Sequence, residues 1–190
     1  MPNPLTEQDR ELLARAGELH RPLARAARVA HSNGTCLAIF GALTILVAMF
    51  GPDFPALLLG GCVLWVGIAE RRAGARLRNA DPAAPRLLAR NELILMGAIA
   101  LYGMLKLTLL RPTSESLEKL IGDSASGIDV KELLDSMTTA VYATVIIVAL
   151  VYQGGMARYF SRKRPDVERF NAEVPHWARA VIEGMSGSAR

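Results

Sequence analysis

Between Arg28 and Glu70 the chain carries a single charged residue, Asp53, and this expulsion of charge constrains the fold more than any other feature of the sequence. Two apolar runs, residues 35–50 and 54–69, flank the short link Gly51-Pro52-Asp53. A soluble helix interleaves apolar and charged positions at a period near 3.6, whereas a helix surrounded by lipid excludes charge from its whole length. Each run forms a helix of roughly 24 Å, slightly short of a ~30 Å hydrocarbon core unless residues 30–34 prolong the first. The link suits a reversal, because Gly51 can end one helix, Pro52 cannot continue it and Pro55 fits the opening turn of the next. The stretch predicts a hairpin of two membrane-spanning helices.

The segregation continues downstream. Residues 93–110 are apolar apart from Lys106, and residues 136–157 carry no charge, which predicts a third span over 93–110 and a fourth over 137–154. Hydrophobic residues make up 51% of the 190, and the long runs in which charge is almost wholly missing are these four blocks. Lysine and arginine number five before the first span, six between the second and third, three between the third and fourth, and seven after the fourth. Basic residues concentrate on the cytoplasmic side of membrane proteins, so both termini are expected inside. The loop over 111–135 is of the opposite kind, with six acids against three bases, and reads as a short, partly helical outer loop. The expected fold is therefore an all-α polytopic integral membrane protein with four transmembrane helices. It comprises an N-terminal segment 1–34, a transmembrane domain 35–157 and a basic cytoplasmic tail 158–190. Arginine outnumbers lysine 18 to 4, which together with abundant alanine points to a bacterial protein of the cytoplasmic membrane.

The N-terminal segment predicts an amphipathic helix, with Leu12, Leu13, Ala16, Leu19, Leu23 and Ala26 on one face and arginines mostly elsewhere. Thr6 and Asp9 have the spacing of a capping pair, and Pro22 is expected to kink or divide the helix. Such a helix can lie on anionic headgroups or pack against a partner. Beyond the fourth span, Arg158, Arg162, Lys163 and Arg164 form a cluster suited to headgroup contact. Pro175-His176-Trp177 opens a last short helix.

Few residues have the pattern of chemistry. Lys106 is the one ionisable group well inside an apolar run, about 7.5 Å short of Arg111, so snorkelling or pairing with an acid of the 111–135 loop competes with a pore role. Tyr102 lies one turn before it. Thr138, Tyr142 and Gln153 place polar groups near one face of the fourth span, and with Tyr102 and Lys106 they are the intramembrane or pore-lining candidates. Asp123, Asp129 and Asp135 would enrich cations at an outer mouth. Glu70 and Glu92, beside Arg71, Arg72 and Arg90, sit at the inner ends of the second and third spans; the expectation is interfacial ion pairing and partner contact, and an acid–base pair would require the two to converge. His20, His31 and His176 are scattered, without metal-ligand spacing, and no cofactor or metal site is expected. Phosphate loops, nucleophile elbows and zinc-protease motifs are absent, and the basic segments lack the interleaved aromatics of a nucleic-acid surface.

Ala30-His31-Ser32-Asn33 resembles part of the Arg-Ala-His-x-Asn-x-x-Glu stretch of the four-helix glutathione-using membrane family. Val29 and Cys36 stand where that family has Arg and Glu, and the stretch precedes the first span, so no catalytic role is carried over. The small residues Gly41, Gly60, Gly61, Gly67, Gly97, Ala98 and Gly103 permit close helix approach. The leading expectation is a non-enzymatic protein that self-assembles in the bilayer as a homo-oligomeric pore or scaffold. The alternatives are an accessory subunit docking a protein partner through its arginines, and an enzyme on a lipophilic substrate using Glu70, Glu92 or His31.

Overall fold

The computed structural model describes residues 6–51, 53–108 and 130–187, and the chain is helical throughout them apart from short links. In order the helices are α1 (Glu7–Ala48), α2 (Phe54–Arg78), α3 (Ala84–Thr108), α4 (Val130–Ser161), α5 (Arg164–Glu173) and α6 (His176–Gly187). The first four are long and apolar enough to cross a membrane. Asp123 and Asp129 lie outside the described residues, and of Asp135 only its place on α4 is described.

The first expectation to change concerns the N-terminus. α1 is one uninterrupted helix of 42 residues that passes through Pro22, so the segment is not divided there. It is not clearly amphipathic either: Ala16, His20, Leu23, Ala26, Ala27 and Ala30 are buried, but leucine and alanine also recur on the other faces. The start is as expected, since Thr6 and Asp9 form a reciprocal capping box, with Asp9 N donating to Thr6 Oγ1 at 3.2 Å and Thr6 N to Asp9 Oδ2 at 3.1 Å. A proline inside a helix costs about 3 kcal/mol, and burial of Leu23, Ala26 and Ala27 immediately after it offsets that loss.

α1 and α2 pack antiparallel along a seam of small residues. On α1 the buried positions Ala27, Gly34, Gly41 and Ala48 recur every seven residues, and on α2 Gly60, Gly67 and Gly74 do the same. Seven residues are close to two turns, so each set forms one stripe. The backbones touch along it: a Cβ on Gly34 would lie 2.6 Å from the Gly67 carbonyl oxygen, and a Cβ on Gly67 would lie 2.6 Å from Ala38 N. A Cβ on Gly41 would overlap the backbone of Leu64.

α3 lies against α2 and α4 against α3, whereas α1 and α4 approach each other sparsely, so the four long helices form a row more than a closed ring. Two links set this order. Asp53 caps α2, accepting from Ala56 N at 3.2 Å, and its other oxygen accepts from Lys106 Nζ at 2.6 Å, which ties the α1–α2 link to the end of α3. At the opposite end α2 closes in a Schellman turn, with Ala80 N donating to Leu77 O at 3.0 Å and Asp81 N to Arg76 O at 3.1 Å. Ala80 occupies the left-handed position that usually belongs to glycine, at φ 51°.

The apolar core lies at the arginine-rich end of the row. There Leu23, Ala26, Leu77, Leu88, Phe160, Val167, Phe170 and Ala178 are buried together. α5 and α6 fold back to complete it: His20 lies against Phe170 with ring centres 5.5 Å apart and ring planes tilted by 49°, Arg15 pairs with Glu173 at 2.6 Å, and Asn171 Nδ2 donates to Ala80 O at 2.9 Å. The apolar windows of the long helices are by contrast mostly exposed.

Candidate functional site

The short α2–α3 turn places Glu70 and Glu92 at the same depth, since each is eleven residues from Asp81. Both point inward and are 0% and 1% exposed. Asn33, beside Gly34 on the tight α1–α2 seam, reaches between them. Its Nδ2 donates to Glu70 Oε1 at 2.9 Å and Oε2 at 3.1 Å, and to Glu92 Oε1 at 3.2 Å. From α4, the Tyr152 hydroxyl donates to Asn33 Oδ1 at 3.4 Å, so a side chain from each of the four long helices meets here.

Among the described residues the cluster contains no cation. Neighbours on a helix point about 100° apart, so the arginines adjoining the two glutamates in sequence face elsewhere. Arg71 and Arg72, with Arg28, His31, Arg78 and Ile68, line an open groove of about 870 Å³ between α1 and α2. Arg90, with Arg86, Arg164 and Glu168, lines a second of about 500 Å³. Ion pairing of the glutamates with these arginines is therefore not what the sequence's neighbours produce. Two further acceptors are buried without a hydrogen-bond partner among the described residues, Glu92 Oε2 and Gln153 Oε1. Gly103 packs on Ile146 and Tyr102 on Tyr142, and this antiparallel register brings Gln153 to the depth of Glu92.

The remaining sequence candidates fall in separate places. Lys106 pairs with Asp53 and lies 5.6 Å above the Tyr102 ring; Tyr102 meets Tyr142 edge-on at 6.2 Å. Lys106 thus has its acid in the α1–α2 link, and the Asp53 carboxyl is held below the ordinary carboxylate range, first by the lysine's hydrogen bond and also by that of Ala56 N, against the opposing effect of burial. Thr138 is half-buried on α4. Arg158 and Arg162 are exposed, while Lys163 pairs with Asp166 at 3.0 Å and Arg164 with Glu168 at 2.7 Å. No group of three or more potential metal ligands gathers among the described residues.

Asn33 is the site residue that sequence reasoning missed. Its signal was position: a polar amide between two small buried residues, Ala30 and Gly34, on an otherwise apolar stripe. The chain matches no protein-family model, no curated protein and no solved structure.

Proposed function

We propose that this protein is a non-enzymatic component of a bacterial cytoplasmic membrane, with its arginine-rich end and both termini on the cytoplasmic side, and that it assembles with copies of itself into a pore or scaffold. The observation carrying this reading is the open edge of the helix row. α1 and α4 share the Tyr152–Asn33 hydrogen bond but otherwise approach sparsely, and polar groups stand on the outer helix of the row: Thr144 is exposed, and it and Gln153 line a groove of about 290 Å³ between α3 and α4 with Val145, Val148 and Ile99. Lipid offers such groups no hydrogen-bond partner, whereas a neighbouring copy does. The test is the protein mass of the complex by light scattering in a mild detergent, with detergent mass subtracted. A discrete assembly of several copies supports the reading, and a monomer that persists in nanodiscs refutes it.

A second reading is favoured by the two arginine-lined grooves, which could dock an acidic partner protein; it predicts co-purification of that partner, lost when Arg71 and Arg90 are replaced by glutamine. The near-complete burial of Glu70 and Glu92 weighs against an enzyme using them on a lipophilic substrate. Glu70→Gln and Glu92→Gln should therefore alter stability before any activity.

A further inference from the structure

The groove between α1 and α2 has a composition that neither helix packing nor self-assembly requires. Arg28 on α1 and Arg71 and Arg72 on α2 converge on it from both walls, His31 stands at its edge, and its volume of about 870 Å³ exceeds what a few ordered waters would fill. None of these three arginines has an acidic partner within salt-bridge distance among the described residues, although the same end of the molecule pairs Arg15, Arg164 and Arg169 with glutamates. The groove floor is fixed rather than adaptable. Gly74 packs against Ala27 and Ala30, and a Cβ on Gly34 would touch the Arg71 side chain at 3.0 Å, so that arginine's stem is laid along the helix seam. At the groove's other end the lining changes to Ile68, with Trp65 one turn further along the same face of α2; both are exposed. A cationic pocket that opens on an apolar, aromatic-bearing helix face matches one amphiphile: phosphate at the arginines, hydrocarbon along the helix.

We infer that the α1–α2 groove is a binding site for the headgroup phosphate of an anionic phospholipid, held between Arg28, Arg71 and Arg72, with an acyl chain along Ile68 and Trp65. The inference rests on the membrane placement proposed above but not on self-assembly. Guanidinium groups suit a phosphodiester because their planar fork donates two parallel hydrogen bonds to its oxygens. The site lies where the charge-free part of each helix gives way to arginine, the level at which headgroups meet a spanning helix.

The test uses Trp65 as its reporter, in the full-length Trp177→Phe protein reconstituted in phosphatidylcholine vesicles. A minor fraction of lipid carries brominated chains, on phosphatidylglycerol in one sample and on phosphatidylcholine in the other. The expected result is stronger Trp65 quenching by the brominated anionic lipid at equal mole fraction, with the local enrichment falling roughly fivefold for each of Arg28, Arg71 and Arg72 replaced by glutamine. Arg10→Gln, at the far end of α1, should leave it unchanged. Equal quenching by the two lipids, or an excess indifferent to the groove arginines, overturns the inference. So does removal of the excess by millimolar inorganic phosphate but not by equal ionic strength of chloride, which would assign the groove to a free phosphate compound. Protein that fails to float with vesicles overturns both this site and the membrane placement; protein that floats as a monomer yet shows the excess refutes only self-assembly.

Discussion

Replacing Gly67 by alanine perturbs the α1–α2 seam by one methyl group, and its effect can be worked from the distances. The new Cβ would sit 2.6 Å from Ala38 N, 2.7 Å from Gly34 O and 3.1 Å from Ala38 Cα, all backbone atoms that cannot rotate away. Ordinary carbon contacts lie near 3.5 Å, so the helices must separate by about 0.8 Å, and a gap of that size forfeits a quarter to a half of each contact's dispersion energy along the seam. Overpacking of this kind costs about 1–3 kcal/mol. The same separation stretches the 2.9 Å bond from Asn33 to Glu70, one residue from Gly34 and three from Gly67, beyond hydrogen-bonding range. Losing that bond at a buried carboxylate adds about 1–2 kcal/mol, for a total near 3 kcal/mol and a fall in melting temperature of roughly 6–12 °C. The matched control is Gly61→Ala, one position past Gly60 and with nothing within 4 Å of the added Cβ. It should melt at or slightly above the parent temperature, since alanine is the better helix former by about 1 kcal/mol. Thermal unfolding of the detergent-purified proteins, followed by near-ultraviolet circular dichroism, measures both. If Gly67→Ala melts together with Gly61→Ala, the backbone contact across the seam is wrong.

Three further predictions concern single sites. Asn33→Ala removes the donor shared by Glu70 and Glu92 and should lower the melting temperature, while Asn33→Asp, which sets a third carboxyl among them, should lower it further; a reversed order would refute the shared-amide geometry. Because Lys106 depresses Asp53, the pair's contribution is fully present above the ordinary carboxylate range and is lost as pH falls through the lowered folded-state value. A melting temperature flat near neutrality and falling in acid should therefore lose part of its acid slope in Asp53→Asn. Ala80→Gly relieves a left-handed alanine, worth about 1–2 kcal/mol, and should be near neutral despite the lost methyl group; Ala16→Gly, equally buried but in regular helix, should cost about 1–2 kcal/mol, and equal losses at the two positions would exclude strain at Ala80.

The four long helices were legible because exclusion of charge is a property of the segment and survives any packing. For Lys106 the sequence pointed to snorkelling or to an acid of the 111–135 loop, whereas its partner is Asp53 of the α1–α2 link, which reaches it only through the order of helices in the row. The equal spacing of Glu70 and Glu92 from Asp81 was present in the sequence, and it fixes depth without fixing rotation: α2 and α3 had to turn both side chains inward, which depends on Gly67 and Gly74 facing α1. α5 was overlooked although Pro165 and Asp166 mark a helix start and Val167, Phe170 and Val174 follow at helical spacing. A short polar segment after a basic cluster reads as a tail until the alanine-lined surface that receives it is seen.

The continuity of α1 through Pro22 has a mechanical consequence. The helix is about 63 Å long, twice the thickness of a hydrocarbon core, so one half stands outside when the other spans it. With no hinge between the halves, a change in bilayer thickness that tilts the inner half by about 10° swings the outer tip by roughly 6 Å. α5 and α6 pack against that outer half, so with the inner half in the bilayer as proposed above they would ride with it, and α1 would carry a change of membrane thickness to the C-terminal helices.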